Sequence, residues 1–259
     1  MDLKKVLDVS KDISICAGKA ILEIYNKEEL WQVEYKEGNM PLTLADKKAH
    51  EIIAGELQEK FPSCALLSEE GEDDRKRLDN PYCFVVDPLD GTKEFIKKNG
   101  QFTVNIALCH KGRPVTGVIY VPVTGELYYA GKGLGAYLDR GKETTRLHVS
   151  DRVENPRVVM SSSHGCEEME RLLEKYHLTE LVRVGSSIKG CMIARGDAEI
   201  YYRHNPTMEW DTAAMQCIVE EAGAIFRQMD DSEMTYNRQD CVHRKGFYII
   251  NCLQNKLQG

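Results

Sequence analysis

The stretch that decides the fold is Asp87-Pro88-Leu89-Asp90-Gly91-Thr92, which follows the apolar run Phe84-Val85-Val86. Because Pro88 cannot donate a backbone hydrogen bond, we expect the strand to stop there. Gly91 allows a tight turn, and Thr92 is predicted to cap a following helix. The two aspartates can then converge beside a helix N-terminus, which suits Mg²⁺ together with a phosphate. For this turn alone, an Asx turn with a capped helix is the alternative.

Further acidic residues stand at similar places along the chain. Glu69-Glu70 follows the apolar run at 65–67, and Asp46 lies at the start of a predicted helix. Asp211 follows Trp210 and opens another predicted helix. Taken singly, Glu69-Glu70 could belong to a solvated loop, Asp46 could be a partner of the helix dipole, and Asp211 could be a helix cap. Taken together, they favour a site built from carboxylates.

The pattern around the turn predicts a chain in two halves. Apolar spacing predicts helices near 3–24 and 45–60, followed by strands at 65–67, 82–86, 102–108, 115–121 and 126–130. These adjacent strands favour an antiparallel meander. After about residue 155, strands at 157–161, 198–202, 224–227 and 247–250 alternate with helices at 167–176, 187–194 and 209–222. This alternation indicates layered α/β structure, and the polar segment 230–240 is predicted to be a surface loop.

Composition excludes several classes of protein. The chain has 259 residues, with 34 Lys and Arg against 41 Asp and Glu, which gives a net charge of −7. An acidic balance argues against a general nucleic-acid binder. The longest uncharged stretch, 114–125, is shorter than the roughly 18 apolar residues that a membrane helix needs.

Location and redox state are predicted from the same data. The charged N-terminus predicts that there is no signal peptide, and cytoplasmic location is expected, with peripheral association at the inner membrane face left open. The nine cysteines include no CxxC pair, so we expect reduced thiols and no zinc site.

The acidic motifs resemble those of a known family. Asp46, Glu69-Glu70, the 87–92 turn and Trp210-Asp211 stand in the order and spacing of the inositol monophosphatase superfamily of metal-dependent, lithium-sensitive phosphatases. The resemblance implies an α+β fold, the five-layer α-β-α-β-α sandwich of the inositol monophosphatase and fructose-1,6-bisphosphatase type. It also implies two halves, 1–154 and 155–259, with the site between them.

Within the superfamily, the chain is most similar to the bisphosphate nucleotidase branch. The motif continues as Lys93-Glu94-Phe95, with Glu94 where inositol monophosphatases usually have Asn, and the run 102–108 is also similar to that branch. The segments 161–164 and 185–189 resemble the nucleotide-contacting segments of that branch, except that Ser162 stands where Arg is expected. The resemblance implies hydrolysis of 3′-phosphoadenosine 5′-phosphate to AMP and phosphate in sulfur assimilation, with the 2′-isomer and the 5′-phosphosulfate analogue as further substrates. An inositol or sugar phosphatase and, in another class, an inactive binding module are the alternatives.

The resemblance also assigns roles to residues. Two or three Mg²⁺ ions are expected on the carboxylates of Glu69, Asp87, Asp90 and Asp211 and the backbone carbonyl of Leu89, with Glu70 near a third ion. Thr92 and Asp46 resemble the water-activating pair of the family. The expected substrate contacts are Glu69, Gly91, Thr92, His164, Ser186, Lys189, Arg203 and Asp211. The expected partner is a small nucleotide bisphosphate, and a homodimer is left open.

Overall fold

The computed structural model describes residues 1–36, 40–162 and 167–257. The helices in these ranges are α1 (Leu3–Tyr25), α2 (Leu44–Lys60), α3 (Thr92–Ile96), α4 (Glu167–Lys175), α5 (Ile188–Ala194) and α6 (Glu209–Glu221). The predicted helices are therefore confirmed, with ends that differ by a few residues. None of the helices in the described ranges has the length and apolarity required to cross a membrane.

A seven-stranded sheet forms most of the first half. Its strands, in spatial order, are β3 (Ala65–Ser68), β4 (Tyr82–Asp90), β5 (Thr103–His110), β6 (Arg113–Val121), β7 (Glu126–Gly131), β8 (Gly135–Asp139) and β9 (Thr144–Arg146). Only the β3–β4 pair is parallel, so the predicted antiparallel meander is confirmed from β4 onward. The short hairpin β1 (Glu34–Lys36) and β2 (Met40–Leu42) was not predicted, nor were β8 and β9.

A mixed five-stranded sheet forms the second half. Its strands, in spatial order, are β11 (Leu181–Val184), β10 (Val158–Ser161), β12 (Ile200–Arg203), β16 (Phe247–Ile250) and β14 (Ile225–Gln228). β10 is parallel to both neighbours, whereas β16 is antiparallel to both of its own. A separate pair joins β13 (Thr207–Met208) to β15 (Val242–His243). Strand β11 was not predicted, because this edge strand is largely exposed and lacks a continuous apolar pattern.

Five layers stack in the order helix, sheet, helix, sheet, helix, which confirms the expected α+β sandwich. In β4, Phe84 and Val86 face α1 and α2, whereas Cys83 and Val85 face the central layer of α5 and α6. Strand alternation produces both faces, since successive side chains point to opposite sides. The central helices also pack on the five-stranded sheet, whose outer face is covered by Met169 and other residues of α4.

One expectation about a turn is wrong, and one about a loop holds only in part. Strand β4 does not stop at Pro88 but runs to Asp90, with a register shift that leaves Pro88 outside the ladder. A proline in such a bulge costs no ladder hydrogen bond, so the strand bends instead of ending. The segment 230–240 is not simply a surface loop, because Met234 and Tyr236 are buried in the central core.

A close approach of backbones holds the central layer against the large sheet. Helix α6 lies so near β6 that a Cβ atom at Gly117 would collide with the carbonyl oxygen of Ala214. The colliding atom belongs to the backbone and cannot rotate away as a flexible side chain could, so any larger residue at Gly117 must displace the helix.

We therefore expect Gly117→Ala to lower the free energy of unfolding by about 1–3 kcal/mol, the usual cost of overpacking a core. Gly55→Ala is the matched control, because a Cβ there would meet nothing within 4 Å on helix α2. That control is expected to stabilise the protein by about 0.5–1 kcal/mol. Urea unfolding of both variants measures the difference, and equal stabilities would contradict the packing argument.

Candidate metal centre and active site

Two of the acidic residues come from the bend at the end of β4. Asp87 is buried, and its Oδ1 accepts a hydrogen bond from the backbone N–H of Leu89 at 3.0 Å, which fixes the turn. Gly91 follows with φ +100°, and a Cβ atom there would lie 3.0 Å from the carbonyl oxygen of Gln101. Both the positive φ and the close approach require glycine. The bend therefore directs Asp87 and Asp90 to one side of the sheet edge.

The third aspartate comes from the second half of the chain. Asp211 lies in the first turn of α6, where its Oδ2 accepts hydrogen bonds from the Thr207 hydroxyl at 2.6 Å and the Met208 backbone N–H at 3.2 Å. This is the helix-capping contact that Asp211 would make as an isolated acid. Carboxylate oxygens of Asp87, Asp90 and Asp211 nevertheless lie within 4.8 Å of one another. The structure thus brings together acids that are over a hundred residues apart.

The other predicted metal ligands lie around these three. Glu69 and Leu89 line the same cavity, and the charge of Glu69 acts on Asp87. Glu70 is placed differently: its charge acts on Asp46 and His50. The structure therefore groups Glu69 with the three aspartates and puts Glu70 on the side of Asp46.

Mutual repulsion dominates the electrostatics of the cluster. Burial raises the pKa of Asp87 well above its ordinary value, and the charges of Glu69, Asp90 and Asp211 raise it further. Burial and Asp211 also raise the pKa of Asp90, against the lowering effect of Lys189 and Arg203. Crowded buried carboxylates favour a bound cation, and hard oxygen donors suit Mg²⁺. The donor set therefore fits the expected metal.

Thr92 and Asp46 form a hydrogen-bonded pair beside the cluster. The Thr92 hydroxyl donates to Asp46 Oδ1 at 3.0 Å, while Asp46 Oδ2 accepts from the Thr43 N–H at 2.8 Å and the Thr43 hydroxyl at 2.5 Å. The expectation that Thr92 caps a helix is wrong: Gly91 occupies the capping position of α3, and the Thr92 side chain makes no capping bond there. Its hydroxyl is instead oriented by a buried carboxylate.

Several of the predicted substrate contacts line the same cavity. Ser186 has φ +47°, and its buried hydroxyl has no hydrogen-bond partner among the described residues, which leaves it available to a ligand. The Lys189 ammonium donates to the Ser186 carbonyl at 2.6 Å and lies 5.7 Å from the ring centre of Tyr201. At the end of β12, Arg203 lies 3.9 Å from Asp211. His164 lies outside the described residues.

The site lines a cavity of about 270 Å³. Its lining combines the carboxylates of Glu69, Asp87, Asp90 and Asp211 with the cations of Lys189 and Arg203, which lie close enough to lower the pKa of Asp90. Tyr201, which was expected in the core, also lines the cavity. Asn105 was not predicted to have a role, although an amide inside the apolar run 102–108 was a usable signal.

Comparisons with known proteins agree with this geometry. Residues 2–254 match the model of the Inositol monophosphatase family. The 3′(2′),5′-bisphosphate nucleotidase CysQ of Salmonella typhimurium is 38% identical over 234 residues, 90% of this chain and 94% of that protein. The protein of the same name from Escherichia coli K12 is 36% identical over 247 residues, 94% of this chain and 99% of that protein.

Solved structures extend the similarity to three dimensions. The crystal structure of CysQ from Bacteroides thetaiotaomicron matches with a TM-score of 0.85 and 38% identity, covering 96% of this chain and 98% of that one. The extragenic suppressor protein suhB from Bartonella henselae matches with a TM-score of 0.82 and 29% identity, covering 95% and 94%. The similarity therefore includes both halves of the chain.

The buried Asp46 carboxyl predicts a pH-dependent stability. Burial, with a contribution from Glu70, raises its pKa to about 6 against the opposing hydrogen bonds from Thr43. The folded state therefore holds a proton that the unfolded state has lost, and the stability that this provides at low pH is lost as the pH rises through 6.

In EDTA-treated protein, we expect Asp46→Asn to gain stability relative to the unmodified chain, by up to about 3 kcal/mol, as the pH rises from 4 to 7. Urea unfolding of both proteins across this range gives the difference directly, since the contributions of other titrating groups cancel. A difference that does not change with pH would contradict the raised pKa.

Proposed function

We propose that this chain, which belongs to the inositol monophosphatase family, hydrolyses the 3′-phosphate of 3′-phosphoadenosine 5′-phosphate to give AMP and phosphate. The observation that carries the proposal is that one cavity holds both the acidic cluster and two cations, Lys189 and Arg203. A substrate with a single phosphate needs only the acidic cluster and its ions. The two cations offer a place for a second phosphate.

The cavity offers different groups to the two phosphates of the substrate. The scissile phosphate is repelled by bare carboxylates, so it belongs with cations held by Asp87, Asp90 and Asp211. The other phosphate would meet Lys189, a point charge, and Arg203, whose fork of donors matches phosphate oxygens. The Ser186 hydroxyl, which is buried without a partner among the described residues, would donate to the same ligand.

The family is metal-dependent, and the proposed ligands are the carboxylates of Glu69, Asp87, Asp90 and Asp211 with the backbone carbonyl of Leu89. Two Mg²⁺ ions are proposed, with Glu70 beside a third. When bound, such ions lower the pKa of water and neutralise charge on the phosphate. Electrostatic stabilisation of this kind is what the hydrolysis of a phosphate monoester most requires.

The protein itself would orient the attacking water. Because the Thr92 hydroxyl proton is committed to Asp46 Oδ1, the Thr92 oxygen is left to accept a hydrogen bond from the water. Asp46 in turn is held by both donors of Thr43, which fixes the direction of the pair. Gly91 and Thr92 line the cavity, and their backbone N–H groups would bind the scissile phosphate.

A direct comparison of substrates tests the proposal. In the presence of Mg²⁺, we expect phosphate release from 3′-phosphoadenosine 5′-phosphate to exceed release from inositol 1-phosphate at equal concentration, and Li⁺ to suppress it. The reason is that inositol 1-phosphate has no second phosphate for Lys189 and Arg203. A preference for inositol 1-phosphate would instead assign the chain to the inositol phosphatases.

The metal assignment has its own test. Asp90→Asn removes one ligand charge from the cluster and is expected to lower kcat at least a hundredfold, while the far-ultraviolet circular dichroism stays unchanged. Asp151 is exposed, so Asp151→Asn is the matched control and should keep full activity. Full activity in Asp90→Asn would contradict the role of Asp90 in metal binding.

A further inference from the structure

Two polar side chains interrupt the buried strand β5 directly opposite the metal aspartates. Thr103 pairs in register with Asp90, and Asn105 pairs with Asp87. Both side chains are fully buried. Buried hydroxyl and amide groups are costly unless they are hydrogen-bonded, so their partners indicate what they do.

Their partners form a chain of hydrogen bonds that crosses between the two halves of the protein. The Thr103 and Ser187 hydroxyl oxygens lie 2.7 Å apart, and the Ser187 hydroxyl donates to Asn105 Oδ1 at 2.8 Å. Since the Ser187 proton is used in this way, Thr103 must be the donor to Ser187. The Asn105 amide then donates to Asp90 Oδ2 at 3.4 Å. Each member of the chain therefore donates to the next, and the last hydrogen bond is donated to the Asp90 carboxylate.

The chain connects two parts of the site. It ends at Asp90 of the acidic cluster, and it passes through Ser187, which lies in the cavity-lining segment that also carries Ser186 and Lys189. Ser187 comes from the second half and is itself buried. The position of the Asp90 carboxylate is therefore tied to the position of this segment of the second half.

We propose that Thr103, Asn105 and Ser187 are positioning residues that hold the Asp90 carboxylate in place for a divalent cation. A neutral amide is suited to this task, because it orients the oxygen against repulsion from Asp87 and Asp211 without neutralising the charge that binds the metal. A lysine in its place would compete with the cation. Groups that hydrogen-bond to metal ligands commonly change metal affinity about 10–100-fold when they are removed.

The inference rests on the metal site of the proposed function but does not depend on the identity of the substrate. Its test is therefore the dissociation constant of Mg²⁺ for the substrate-free protein, measured by titration calorimetry. If Mg²⁺ affinity changes as expected while 3′-phosphoadenosine 5′-phosphate is not hydrolysed, the proposed function fails and this inference is supported.

The sharpest comparison is between two substitutions at one position. Thr103→Val keeps the shape of the side chain but removes the donor, and it is expected to weaken Mg²⁺ binding about threefold or more. Thr103→Ser keeps the hydroxyl and should keep the affinity within twofold. Thr116→Val is the matched control: Thr116 is equally buried on β6, where its oxygen accepts from the Leu108 N–H at 3.3 Å. It should lose stability without losing affinity for Mg²⁺.

Removal of further members of the chain completes the test. Asn105→Leu should weaken Mg²⁺ binding about tenfold. Ser187→Ala, which lies in the other half, should weaken it about threefold alone and add little in the presence of Asn105→Leu, because the chain is already broken. Affinities within twofold of the unmodified protein for Thr103→Val and Ser187→Ala would overturn the proposal. An equal loss in Thr116→Val would also overturn it, since general loosening of the sheet would then explain the effect.

Discussion

The repulsion among Asp87, Asp90 and Asp211 is the constraint on which the rest of the structure depends. Their oxygens lie within 4.8 Å of one another, and the burial of Asp87, with the partial burial of the other two, reduces the screening by water. The fold holds each carboxylate by a separate device: the turn at Leu89, the amide of Asn105 and the cap at Thr207. A cluster held in this way is unfavourable as a set of bare anions and well matched to divalent cations.

Helix α6 links this cluster to the core. Its first turn carries Asp211, and the remainder forms the central layer between the two sheets. Gly117 permits its close approach to β6. Beside it, the buried Glu209 carboxylate accepts hydrogen bonds from the backbone N–H groups of Asn237 and Arg238 at 2.7 and 3.0 Å, which fixes the segment 230–240 that was expected to be a surface loop. The packing of α6 in the central layer therefore also determines where Asp211 lies in the acidic cluster.

Much of the acidity behind the net charge of −7 is concentrated around the site. Six of the acids, Asp46, Glu69, Glu70, Asp87, Asp90 and Asp211, lie at or beside the site, and Lys189 and Arg203 line the same cavity. A cavity that combines acids with cations has groups suited to metal ions and groups suited to direct contact with an anion. An acidic protein can thus bind a strongly anionic ligand without a basic surface.

The sequence by itself determined the main helices, the meander, the family and the acids that converge, because apolar periodicity and the 87–92 turn are local signals. Only the tertiary structure decided that β4 bends instead of stopping at Pro88, that Thr92 faces Asp46 instead of capping α3, and that Asn105 faces Asp90. These outcomes depend on partners from 13 to 46 residues away in the chain. Local preference cannot specify them, because a hydroxyl or amide takes whichever partner the packed layers place beside it.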